Sequence, residues 1–163
     1  MGLNEQIRFR KANAQDALIP KRLGWLQKLD YKAHEHFVGA IEQQLHDPRS
    51  VTVFVAHKGN NVPVGLVIAR NLGGFQSALE KFFVHPDERG TGIGKALAER
   101  GLRHVLSSFK SKHVYADVLL PEKRLYNPLY ELGFRETGRT EEDRIKMALE
   151  VIRASRSKPK VQP

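Results

Sequence analysis

The chain contains no cysteine, which removes disulfides, thiolate-bound metals and any covalent intermediate carried on a cysteine of this chain. Its chemistry must run on oxygen and nitrogen groups. It also lacks any apolar run near the ~20 residues that a membrane-spanning helix requires. Residues Met1 to Arg10 carry charges without the continuous apolar stretch of a secretory leader. A cytoplasmic protein with no membrane partner is therefore expected. No internal repeat is visible. Acidic residues are the minority charge, 18 Asp and Glu against 27 Lys and Arg, for a formal net charge of +9. Such an excess keeps a chain soluble and favours polyanions, among which nucleic acid, acidic protein and a multiply phosphorylated cofactor all qualify.

At 163 residues the chain is long enough to bury roughly 70% of the surface its unfolded form exposes. Residues 1–153 are expected to form one domain. The segment 154–163, which includes Lys158 and Lys160, is basic and poor in apolar residues, and it reads as a disordered tail. Those lysines suit phosphate contacts without sequence specificity, and nucleic acid is not expected as the main partner.

Local patterns place the elements. Ile7 to Arg10 alternates like a strand, and Asn13 offers a helix N-cap before Asp16, Leu18 and Ile19, with Pro20 and Gly24 as breakers. Ala33, Phe37, Ala40, Ile41 and Leu45 make one helical stripe that ends near Asp47-Pro48. Val51–His57 and Val64–Arg70 read as a hairpin turning at Gly59-Asn60-Asn61. A turn over Asn71–Gly74 is followed by a strand from Phe75 to Val84 that stops by Pro86. An amphipathic helix starts after Gly92, with Gly94 and Gly101 weakening it by about 1 kcal/mol each relative to alanine. Close approach of a ligand or of neighbouring backbone would account for them. His113–Leu119 is a further strand, and Pro121 is placed to open a helix that ends at Gly133. Phe134–Arg139 and Arg144–Ile152 flank the polar turn Thr140 to Asp143.

The most informative stretch is Arg89-Gly90-Thr91-Gly92-Ile93-Gly94-Lys95, between an apolar run (Phe82, Phe83, Val84) and a helix start. Three alternating glycines let several backbone N–H groups converge on one point at the positive end of a helix, a geometry suited to a diphosphate. A dinucleotide fingerprint is excluded because Lys95 stands where its third glycine is needed. A P-loop is excluded by Arg89 and Ala96 at its glycine and hydroxyl positions. His34 and His36, two apart, point to different helix faces and do not make a metal pair.

What remains, Arg89, Gly92 and Gly94 in the pattern R-x-x-G-x-G after Val84-His85-Pro86, closely resembles the acetyl-CoA pyrophosphate loop of the GCN5-related N-acetyltransferase (GNAT) family. The order of the flanking elements, with Leu132-Gly133-Phe134 before the last hairpin, extends the resemblance over most of the chain. It implies an α/β fold with a mixed, largely antiparallel central sheet flanked by helices. It also implies transfer of an acetyl group from acetyl-CoA to a small-molecule or protein amine by direct attack in a ternary complex, without a metal. Backbone from Arg89 through Gly90, Thr91, Gly92, Ile93 and Gly94 to Lys95 would hold the diphosphate. Main chain of Phe82, Phe83 and Val84 would pair with pantetheine, and an N–H near Val84 would serve the oxyanion. For the general base, Glu80 alternates with Phe82 and Val84 along one strand face and can reach the amine through a water. Asp117 on the neighbouring strand is the lesser candidate.

For the general acid the resemblance points to Tyr130, although family members usually carry the tyrosine four residues before the glycine, where Leu129 stands here. Tyr126 is the reserve, and Pro128 is expected to kink or shorten that helix. Glu122 stands where the family usually has an asparagine. The acceptor would lie between the early helices, with Asp30, Tyr31, His34 and Glu35, and the acidic turn Glu141, Glu142 and Asp143. Pairing of two copies of the chain stays open, as does a reading in which the protein binds the coenzyme but has lost catalysis.

Overall fold

The computed structural model describes residues 6–18, 22–59, 62–119, 126–140 and 144–151. Among these, seven strands form one sheet: β1 (Arg8–Lys11), β2 (Val51–Lys58), β3 (Val62–Gly73), β4 (Gln76–Val84), β5 (His113–Leu119), β6 (Arg135–Arg139) and β7 (Arg144–Glu150). Their order across the sheet is β1-β2-β3-β4-β5-β7-β6. Every neighbouring pair is antiparallel except β4 and β5. A parallel pair needs a long crossover, and helix α4 (Ile93–Ser107) supplies it. The remaining helices are α1 (Ala14–Leu18), α2 (Gly24–Leu29), α3 (Tyr31–His46) and α5 (Tyr126–Glu131).

The apolar runs of β2 and β3 bury both faces because helices cover both. On one face, α4 contributes Ile93, Leu97, Ala98 and Val105 to a core with Phe54, Val67, Leu79 and Phe82. On the other, Leu26 of α2 and Phe37 and Ile41 of α3 pack on Val53, Leu66, Ile68 and Phe83. Two glycines set the spacing of the first layer. A Cβ at Gly65 on β3 would lie 2.8 Å from Ile93 Cγ2, and one at Gly101 on α4 would lie 2.9 Å from Leu79 Cδ2. The helical glycine is thus explained by close packing on a strand.

Several sequence expectations need correction. Gly24 begins α2 rather than breaking a helix, since Leu23 and Leu26 find burial in the α3 layer. Leu45 is 52% exposed. Its place on the inner stripe is taken by Gln44, whose amide donates to the Ala12 carbonyl and accepts from the Val53 N–H, so a polar group is buried with both ends satisfied. β3 continues through Asn71–Gly73, paired with Gln76 and Ser77 of β4. The turn is therefore at Gly74 and Phe75, both with positive φ. α5 runs on past Pro128, whose carbonyl still accepts the Leu132 N–H at 3.1 Å. Asn60, Asn61, Pro121, Glu122, Glu141 to Asp143, Ile152 and the tail lie outside the described residues.

The buried Asp16 ties α1 to the sheet edge. Its two oxygens accept from the Arg10 guanidinium at 2.6 and 2.8 Å, from Arg22 at 3.4 Å and from the Asn13 N–H at 2.8 Å. Burial alone would raise its pKa, but the hydrogen bonds from Arg10 and Asn13 and the charges of Arg10 and Arg22 outweigh it and hold the carboxyl below its usual range. A depressed folded-state pKa stabilises the fold above the unfolded-state value and ceases to do so as pH falls through the folded one. We expect Asp16→Asn to lower stability by about 2 kcal/mol near neutrality in urea unfolding, each hydrogen bond to a charged group contributing roughly 1.5–3 kcal/mol. The gap between wild type and variant should close as pH drops below the ordinary carboxylate range, and a gap constant with pH would refute the assignment.

Candidate active site

The ladder between β4 and β5 has four rungs, from Gln76↔His113 to Leu79↔Ala116. Beyond them the two strands part. On the β3 side the pairing continues, but Ile68 faces Glu80 while Leu66 faces Phe83, so β4 carries one extra residue there. The extra residue coincides with Lys81 at φ +53°, a bulge that bends the strand and turns its edge. From Glu80 to Val84, β4 keeps β3 on one side and, among the described residues, has no strand partner on the other. An extended amide-bearing arm can lie along such an edge.

The bulge also overturns one expectation. Glu80 does not share a face with Phe82 and Val84. Phe82 and Val84 pack with the α4 layer and Phe83 with the α3 layer. Glu80 belongs to the α3 side, where Arg70 Nε donates to its Oε2 at 3.1 Å and Arg70 also reaches Gln43 of α3. Simple alternation fails because the inserted residue resets the period.

At the end of β4 the chain makes a short 3₁₀ turn over Pro86–Glu88. His85 shapes it: Nδ1 accepts from the Asp87 N–H, and the ring lies 4.9 Å from Trp25. Arg89 Nε donates to the Val84 carbonyl at 3.2 Å, and Thr91 Oγ1 to the Glu88 carbonyl. Gly90 and Gly92 adopt φ +79° and +86°, and a Cβ on either would meet nothing within 4 Å. These glycines are therefore required by torsion and leave the main chain open to solvent. Gly92 is the N-cap of α4, and the Ala96 N–H is the first to close on it, so the amides of 93–95 point outward unsatisfied by the helix. Lys95 is drawn toward Glu131 of α5 at 3.0 Å, a hydrogen bond that raises its pKa. This assembly of outward amides, a left-handed glycine cap and nearby cations fits a diphosphate.

On the α3 face, the parted strands and the start of α3 enclose a cleft of about 570 Å³, lined by Asp30, Ala33, His36, Glu80, Phe83, Tyr115, Asp117 and Arg144 among others. Asp117, the lesser base candidate, therefore shares this cleft with Glu80. Tyr130 is 47% exposed on α5, stacked on Tyr126 at 6.2 Å and covered by the Arg135 guanidinium at 3.9 Å. Leu129, at the position where the resemblance would put the tyrosine, is fully buried in the α4-side core. Tyr126 packs partly against that same core. Sequence reading missed Arg70, Gly65 and Arg135, all partners of residues it had singled out. The Arg70 to Glu80 contact had only a faint signal, two opposite charges on adjoining strands. Among the described residues, no three His, Asp or Glu side chains gather as a metal site, and no helix is long and apolar enough to cross a membrane.

A family model described as Acetyltransferase (GNAT) family matches residues 16–134. No curated protein matches the sequence. Solved structures share the fold at low identity. An acetyltransferase of the GNAT family from Staphylococcus aureus superposes with a TM-score of 0.70 at 17% identity, covering 90% of this chain and 100% of its own. A Salmonella typhimurium protein described as an acetyltransferase, solved with its cofactor acetyl-CoA, gives 0.70 at 16% identity, with 91% and 95% covered. The dodecameric spermidine N-acetyltransferase from Vibrio cholerae gives 0.66 at 18%, with 89% and 94% covered.

The torsion at Gly92 generates a direct test. An alanine there is strained by about 1–2 kcal/mol and must rotate amides out of the loop. We expect Gly92→Ala to weaken acetyl-CoA binding about tenfold or more in calorimetry while circular dichroism stays unchanged. An unaltered Kd would remove the loop from the site.

Proposed function

Because the chain belongs to the GNAT acetyltransferase family, we propose that it moves an acetyl group from acetyl-CoA to the amine of an acceptor by direct attack within a ternary complex. The observation that carries this reading is the edge of β4 from Glu80 to Val84, which no strand pairs among the described residues, running into the glycine-capped start of α4. One continuous backbone surface offers strand pairing for the pantetheine arm and amides 90–95 for the diphosphate. The absence of cysteine agrees with direct attack rather than an acyl-cysteine intermediate.

In this reading the acceptor nitrogen adds to the thioester carbonyl carbon as the carbon–sulfur bond breaks. A main-chain N–H near Val84 meets the developing oxyanion. An ammonium sheds two protons on becoming an amide. One leaves through a water to Glu80, and the other restores the thiol by way of Tyr130, with Tyr126 as its reserve. Glu80 suits the first role by lining the α3-side cleft. Tyr130 suits the second by its place on α5, which Lys95 and Glu131 join to the loop end of α4.

A second reading, a coenzyme-binding module without turnover, draws on the guanidinium groups engaging both candidates, Arg70 on Glu80 and Arg135 on Tyr130. Thiol release separates the two. With acetyl-CoA and a panel of amines, wild type is expected to release thiol, and Glu80→Gln to lower kcat/KM about 10²–10⁴-fold with Kd for acetyl-CoA retained, the range for a lost general base. Whichever of Tyr130→Phe and Tyr126→Phe lowers kcat more identifies the acid. Binding without release from any amine favours the module.

A further inference from the structure

Glu80, proposed above as the base, is held by one oxygen only. Arg70 stands opposite Ala78 in the β3–β4 ladder, and Ile68, two residues before it, stands opposite Glu80. Arg70 and Glu80 are therefore diagonal neighbours on the α3 face, with Cβ atoms about 7–8 Å apart, a span that long side chains bridge. Nε of Arg70 donates to Glu80 Oε2 at 3.1 Å, while Nη1 donates to the side-chain oxygen of Gln43 on α3 at 3.0 Å. Among the described residues, Glu80 Oε1 accepts no hydrogen bond. Three elements thus meet in one chain of contacts, α3 to β3 to β4, and it ends on the last residue before the Lys81 bulge.

A guanidinium beside a carboxylate commonly forks over both oxygens, and a glutamate so chelated has each oxygen engaged. Here the fork stays open, because the anchor on Gln43 fixes the guanidinium at an angle from which Nε alone reaches the acid. Glutamate is among the side chains with the most rotamer freedom to lose, and in a cleft of about 570 Å³ an untethered one samples many positions. We infer that Arg70, anchored by Gln43, is a positioning residue for the acetyl transfer: it fixes the Glu80 carboxylate through Oε2 and leaves Oε1 to receive, by way of water, the proton of the attacking ammonium. Arginine suits this task because it stays charged at any working pH and its planar fork loses little freedom per hydrogen bond. The inference rests on the acetyl-transfer reading above, with Glu80 as its base. The two side chains are 28% and 33% exposed, and an ion pair so placed contributes little to folding.

The test is a double-mutant cycle read by thiol release and acetyl-CoA calorimetry. Arg70→Gln should lower kcat about tenfold to a hundredfold, the scale of a misplaced reacting group, with the Kd for acetyl-CoA and the KM of the acceptor within about twofold of wild type. Gln43→Ala should lower kcat in the same direction by a smaller factor. In the Glu80→Gln background neither substitution should cost further rate, since the carboxylate they position is gone. An ion pair that only braces the sheet behaves differently: its loss moves KM, Kd or Tm and costs the same in either background. Gln43 is exposed on a helix, where alanine is favoured, so its cycle decides the matter even if Arg70→Gln fails to fold. Losses that multiply with that of Glu80→Gln overturn the positioning role, as does wild-type kcat in both Arg70→Gln and Gln43→Ala. Wild-type kcat in Glu80→Gln removes the base reading and the inference with it, and so does a wild-type protein that releases no thiol with any amine.

Discussion

The four-rung parallel ladder between β4 and β5 is the constraint from which the rest of the site follows. Parallel strands of unequal curvature stay together only as long as their registers match. The residue inserted at Lys81 ends that match after Leu79 and Ala116. Past this point lie, among the described residues, the edge of β4 that no strand pairs, the carboxylates of Glu80 and Asp117, and part of the cleft that the start of α3 borders. A fifth and sixth rung would close the sheet over all of it.

Rigidity around the opening comes from packing on the other face. α4 can sit close to the sheet because Gly65 and Gly101 remove the side chains that would hold it off, letting Ile93 and Leu79 fill the space. The helix start is thereby fixed relative to the strand that precedes it. A backbone nest binds an anion well only when its amides are already aimed, because aiming them on binding would cost conformational entropy. At the far edge, the Asp16 cluster fastens α1 to β1.

The sheet class, the main helices and the glycine loop were legible in the sequence because each has a local cause: apolar period, turn chemistry, or closely spaced positive-φ glycines. The α3 stripe, the β2–β3 hairpin and the helix after Gly92 stand where the pattern puts them. The errors share a different cause. The facing of Glu80 depends on a bulge that no residue type announces, since Lys81 is not a residue that favours positive φ. Gln44 replaced Leu45 on the inner face because two distant backbone groups needed its amide. Pro128 leaves α5 running, because its carbonyl still takes the Leu132 N–H. The partners Arg70 and Arg135 come from tertiary juxtaposition, which a single sequence does not encode locally.

Recognition through main-chain atoms also bears on how such a protein changes over time. Outside Gly90 and Gly92, the stretch proposed to cradle the diphosphate has few side chains whose chemistry such a contact would need, so most replacements there leave the amides where they were. A coenzyme site of that kind, as proposed, is buffered against mutation, whereas a cleft lined by side chains, such as the one on the α3 face, can be retuned by a single exchange.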